Sequence, residues 1–107
     1  MSYDEVLADR IRKILLPIAL EKRMFGGIGF IVDGNMAVGV YQEYLIVRVG
    51  AEQHAAALKK KGARPFDITG KPMTGWVMVS QEGSGTKQSL EKWISTAMEF
   101  VATLPPK

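Results

Sequence analysis

The chain has 107 residues, 47% hydrophobic and 23% charged, with 14 Lys and Arg against 11 Asp and Glu for a net charge of +3. That length suits one globular domain, residues 1–107, with a real hydrophobic core. With no cysteine and one histidine, disulfide scaffolds, zinc fingers, iron–sulfur ligation and thiolate catalysis are excluded, and no metal or cofactor is expected. The opening MSYDEVLADR carries acids where a secretory signal carries bases, and no apolar run reaches the roughly 20 residues a membrane span needs. A soluble, cytoplasmic protein without membrane contact is expected.

Val6, Leu7, Ile11, Ile14, Leu15 and Ile18 recur at helical spacing, with Asp9, Arg10, Arg12 and Lys13 between them. This predicts an amphipathic helix that Pro17 ends near Leu16. From Lys22 the pattern turns to β-rich runs over 24–32, 36–41 and 44–49, which predict a three-stranded meander. Its first turn is expected at Gly34-Asn35, where positive φ is tolerated. That register would set Phe30 opposite Gly39.

Residues 51–61 predict a second, shorter helix closed by Gly62. Arg64-Pro65-Phe66 reads as an edge strand, because proline cannot donate to a central ladder. A loop with Gly70, Pro72 and Gly75 leads to a compact apolar strand, Trp76–Val79. After a polar loop over 81–86, the periodic Leu90, Trp93, Ile94, Ala97, Val101 and Leu104 predict a last helix that Pro105-Pro106 stops. The expected order is α-β(3)-α-β(2)-α, an α+β fold.

The motifs carry little chemistry. Gly26-Gly27-Ile28-Gly29 lies within strand pattern, whereas a dinucleotide fingerprint needs its glycines between a strand and a helix, so close packing or a bulge is the reading. Gly83-Ser84-Gly85-Thr86-Lys87 lacks P-loop spacing and reads as a connection in which Thr86 or a nearby serine caps the last helix. His54 is expected to face water, and no Gly-x-Ser-x-Gly elbow exists for Ser80, Ser84 or Ser89. The residues therefore predict no catalytic site.

Two features bear on binding. Lys59, Lys60, Lys61, Arg64 and Lys71 form the densest basic segment and a candidate nucleic-acid patch, with Phe66 and Trp76 as stacking residues if exposed. The strands over 36–49 and 76–79 are apolar at nearly every position, although a two-layer domain leaves one sheet face polar. Either the long helices cover opposite faces or the second face receives another subunit or a ligand. A homodimer is expected.

Arg23-Met24-Phe25-Gly26-Gly27-Ile28-Gly29, then Asp33-Gly34-Asn35-Met36, Gly62-Ala63-Arg64-Pro65-Phe66, Gly70-Lys71-Pro72-Met73, Gly75-Trp76-Val77 and the closing Leu104-Pro105-Pro106-Lys107 carry a resemblance. Over nearly its whole length the chain resembles the TfoX/Sxy N-terminal domain family. The resemblance implies a two-layer α/β sandwich with a mainly antiparallel sheet, similar to the secretion-chaperone architecture. It also implies a bacterial regulatory, protein-interacting role, since the best-known members are competence regulators that act as coactivators with the cyclic-AMP receptor protein. Those regulators carry a C-terminal helical domain, and this chain reads as a stand-alone N-terminal module without one.

The resemblance supplies no catalytic residues. Arg23 and Arg48, charged residues in an apolar sheet, are the first candidates for a functional surface, with Arg64 and Lys71 next. The leading expectation is a non-enzymatic regulatory or protein-interaction module. The alternatives are a nucleic-acid-binding domain and a small-ligand binder or enzyme with a pocket lined by Arg23, Phe25 and Arg48.

Overall fold

The computed structural model describes residues 3–24, 26–67, 70 and 73–106. The elements run α1 (Glu5–Leu15), β1 (Leu20–Met24), β2 (Gly27–Val32), β3 (Asn35–Tyr41), β4 (Tyr44–Arg48), α2 (His54–Leu58), β5 (Ala63–Pro65), β6 (Trp76–Val79), α3 (Gln81–Ser84) and α4 (Lys87–Val101). The strands form one open antiparallel sheet in the order β1-β2-β3-β4-β6-β5. The α+β sandwich is as expected, with one more strand and one more short helix than the sequence predicts.

The extra strand is β1. Its Glu21-Lys22-Arg23 interrupts the apolar pattern, and a sheet edge tolerates such residues because one side of the strand meets water. Gly26 takes φ +79 between the paired Met24 and Gly27, so it belongs to a hairpin connection rather than to a strand interior. The next turn sits one residue earlier than expected. Asp33 and Gly34 both take positive φ (52 and 82) between the paired Val32 and Asn35, the geometry that matches strand twist. A bulge then inserts Ala37, so Phe30 faces Val38 and Gly39 faces Gly29. The expected Phe30–Gly39 pair does not form.

α1 begins on Asp4, whose carboxylate accepts from the amides of Val6 and Leu7 at 3.0 and 3.1 Å. It ends before Pro17 as expected, and buries Leu7, Ala8, Ile11 and Leu15. Val6 and Ile18 of the predicted stripe are exposed, because Ala8 takes the inward place beside Leu7 and the helix stops before Ile18. α4 opens with a capping box in which Thr86 Oγ1 accepts from the Ser89 amide and Ser89 Oγ accepts from the Thr86 amide.

The main core joins α1, α2 and α4 to one sheet face: Ile11, Leu15, Ala57, Leu90, Trp93, Ile94 and Ala97 meet Ile28, Phe30, Val38, Val40, Leu45, Val47, Val77 and Val79. The two long helices therefore share one face. Asn35, buried at the start of β3, donates through Nδ2 to the Pro105 carbonyl at 3.0 Å and ties the chain's last described residues to the β2–β3 hairpin. What remains is a sheet face without helices.

Candidate functional site: the helix-free face of the sheet

Side chains alternate along strands, so the register fixes what this face displays. One row crosses the whole sheet as Lys22, Gly29, Gly39, Ile46, Met78 and Arg64. Ile46, Met78 and Phe66 form a small second core there, with Met36, Tyr41, Tyr44 and Trp76 packed around it and partly exposed. The glycine pair is a shallow trough that thioethers fill. A Cβ built on Gly39 would lie 2.7 Å from Met36 Cε and from the Ile28 carbonyl, and one on Gly29 would lie 3.0 Å from Met24 Sδ. Methionine repacks readily, so this part of the face can change shape at low energetic cost.

Cations frame the face. Arg64 on β5 places Cζ 5.7 Å from the Tyr44 ring centroid and donates from Nη1 to Tyr44 Oη at 3.3 Å. Arg48, at the end of β4, holds its guanidinium between two rings, 5.2 Å from Trp76 and 5.5 Å from Phe100 of α4. Trp76 in turn stacks obliquely on Phe66 at 6.1 Å. Arg48 thus links the open face to the helical layer. None of the strand positions on this face is acidic, and Asp33, Glu43 and Asp67 stand beyond strand ends.

The other candidates are dispersed. Arg23 is exposed and shares its side of the sheet with Ile28, which faces the helices, while Arg48 lies on the opposite side. Arg23 and Arg48 therefore do not meet in one pocket, and Phe25 lies outside the described residues. The basic segment is divided by β5. Lys60 turns toward the helical layer, with Nζ 5.2 Å from the Trp93 ring, whereas Arg64 serves the open face. Lys59 and Lys61 are exposed, and Lys71 lies outside the described residues.

The chemistry-bearing side chains are occupied locally. His54 is half-buried rather than facing water: its Nδ1 accepts from the Gly75 amide at 2.7 Å, which anchors α2 to the approach to β6. Ser84 Oγ donates to the Ser80 carbonyl, and Thr96 and Thr103 donate to carbonyls of their own helix region. Gly83 sits in α3, where the sequence predicts loop, packed so closely on the turn before β5 that a Cβ would lie 2.1 Å from the Lys61 carbonyl oxygen. That leaves no cradle for an anion. Among the described residues no cluster of three metal-ligating side chains occurs, and no helix is long and apolar enough to cross a membrane.

Among the described residues, two clefts on the helical side stand out. One of about 710 Å³ between α2 and α4 has Val49, Ala57 and Phe100 with Glu52, Lys60 and Glu99 on its walls. The other, about 620 Å³ between α1 and α4, is lined by Arg10, Lys13, Lys87 and Glu91 over Ile14 and Leu90. The ion pairs among the described residues belong to Arg12, which bonds Asp9 and, at 2.6 Å, Glu21. Its hydrogen bonds to Glu21 and then Asp9 raise the guanidinium pKa above its ordinary value.

Sequence reasoning missed Tyr41, Tyr44 and the three methionines. Their signal is their placement at alternate positions of β1, β3, β4 and β6, legible only once the register is known. In comparison with known proteins, the model of the TfoX N-terminal domain matches residues 16–101. No curated protein and no solved structure matches the chain.

Proposed function

The chain belongs to the TfoX N-terminal domain family, and from that premise we propose that it is a non-enzymatic, cytoplasmic regulatory module that works by docking a protein partner on its helix-free sheet face. The observation that carries this reading is the partly exposed set Met36, Tyr41, Tyr44 and Trp76 around a small apolar core, on a face whose charged strand residues are all cationic. Aromatic and methionine side chains with arginine at the margin are the composition of protein interfaces. The partner that fits presents apolar anchors flanked by acidic residues.

Single-stranded nucleic acid is the competing occupant, because bases stack on exposed aromatic rings beside cations. Here the Tyr44 and Trp76 rings already lie against Arg64 and Arg48. A stacking base would have to displace a guanidinium, which favours the protein reading. Affinity capture from native extract with wild-type protein and with a Tyr44→Ser/Arg64→Glu variant tests it: a protein retained by the first and lost by the second is expected. Tight oligonucleotide binding that falls steeply with salt, with no such protein, would replace this reading by the nucleic-acid one.

A further inference from the structure

The two edges of the sheet differ. β5 has three residues and ends at Pro65, whose nitrogen has no hydrogen to donate. β1 has five residues, no proline, and four exposed positions followed by a half-buried Met24. An open edge of this kind is a template for another strand. Leading into it, Leu16, Ile18 and Leu20 occupy alternate positions and are 53%, 58% and 74% exposed, three of the five exposed large hydrophobic side chains among the described residues. The core uses none of them, and Leu20 stands on the same side of β1 as Lys22, at the margin of the helix-free face.

The charges along β1 select the occupant. Two copies of β1 meeting antiparallel across a two-fold axis in one sheet must keep each residue opposite one on the same face, so the allowed registers differ in steps of two. Centred on Glu21, the pairing sets Glu21 against itself, and centred on Arg23 it sets Arg23 against itself. Centred on Lys22, it pairs all five residues, with Leu20 opposite Met24 and Glu21 opposite Arg23, each contact occurring twice. Lys22 then meets Lys22 of the second copy on the open face, where both can splay into water.

The side chains are prepared for this register. Glu21 is held in place by Arg12, which donates from Nε to Oε2 at 2.6 Å and leaves Oε1 for another donor. Arg23 has no hydrogen-bond or ion-pair partner among the described residues. We infer that β1 pairs with β1 of a second copy of this chain, with Glu21 and Arg23 as the selecting pair. Pairing joins the two six-stranded sheets edge to edge and places their helix-free faces side by side. The interface borders those faces at Lys22 and Met24, which stand on the helix-free side of β1.

The absence of native cysteine makes the test direct. Antiparallel partners stand about 4.5–5.5 Å apart at Cα, within disulfide reach, so Lys22→Cys places one thiol on each side of the axis. Under mild oxidation it is expected to form a linked dimer about a hundredfold faster than the exposed control Lys59→Cys, as pairing raises the effective thiol concentration. By size-exclusion chromatography with light scattering at high micromolar concentration, wild type is expected at twice 11.8 kDa. Arg23→Glu, with unchanged circular dichroism, is expected at the single mass. An equimolar mixture of Arg23→Glu and Glu21→Arg, each repulsive alone, is expected to restore the double mass, because both cross-strand pairs are then opposite in charge. A monomeric wild type overturns the inference. A dimer that survives Arg23→Glu, with Lys22→Cys no faster than Lys59→Cys, overturns it in favour of another face.

Discussion

Replacing Gly83 by alanine separates a packing role from an anion-binding role in the glycine-containing segment before α4. The new Cβ would sit 2.1 Å from the Lys61 carbonyl oxygen and 2.8 Å from Val79 Cγ1, where ordinary contact begins at 3.4 Å. Neither neighbour is the free end of a flexible side chain. Lys61 leads into Gly62, itself held so tightly that a Cβ there would lie 2.7 Å from the Gly83 amide nitrogen. Relief therefore requires α3 to move away from the turn before β5 by about an ångström. Overpacking of this kind costs about 1–3 kcal/mol. The same movement stretches the 3.0 Å hydrogen bond from Trp93 Nε1 to the Gly83 carbonyl, which adds about 1 kcal/mol. At about 4–8 °C per kcal/mol for a domain of this size, a total cost of about 2–4 kcal/mol means that Gly83→Ala lowers the melting temperature by roughly 10–30 °C. Thermal unfolding followed by circular dichroism measures it, with Gly26→Ala as the comparison, since that site has positive φ but open space. A Gly83→Ala protein as stable as wild type, or no worse than Gly26→Ala, would refute the close-packing account and reopen the segment as a loop free to receive an anion.

Removing the Arg48 guanidinium takes away a cation shared by Trp76 and Phe100; Arg48→Ala is expected to cost about 1–2 kcal/mol in urea unfolding, with Arg48→Lys recovering part of it. Asn35→Ala leaves the Pro105 carbonyl without its donor and is expected to lose about 1–2 kcal/mol, with local hydrogen exchange rising first in residues 102–106. If Tyr44 anchors the partner, Tyr44→Ala lowers affinity about tenfold or more while the melting temperature moves little, as read by calorimetric titration with the captured protein.

Much of the architecture was legible because periodicity reports burial. The 3.6 period of Leu90, Trp93, Ile94, Ala97 and Val101 located α4, and the apolar runs located β2, β3, β4 and β6. What escaped was set by tertiary context. β1 is charged because it is an edge, which hid it from a search for apolar runs. The β2–β3 register turned on one residue of the hairpin and on the Ala37 bulge, neither of which leaves a distinct local pattern. α3 has four residues and rests on its contact with the Lys61-Gly62 turn rather than on propensity. The doubly apolar strands did signal an unusual second face, but its composition emerged only from pairing. The basic segment looked continuous in sequence, and the strand that runs through it sends Lys60 and Arg64 to different layers.

The central claim is that the helix-free face receives the partner, and the methionines report on it directly. Met24, Met36 and Met78 lie on that face, whereas Met98 packs against the core on the helical side. In protein labelled with 13C at the methionine methyls, titration with the captured partner is expected to shift the signals of Met24, Met36 and Met78 and to leave Met98 in place. Movement of Met98 with the three sheet methionines unperturbed would contradict the account and move the working surface to the helices.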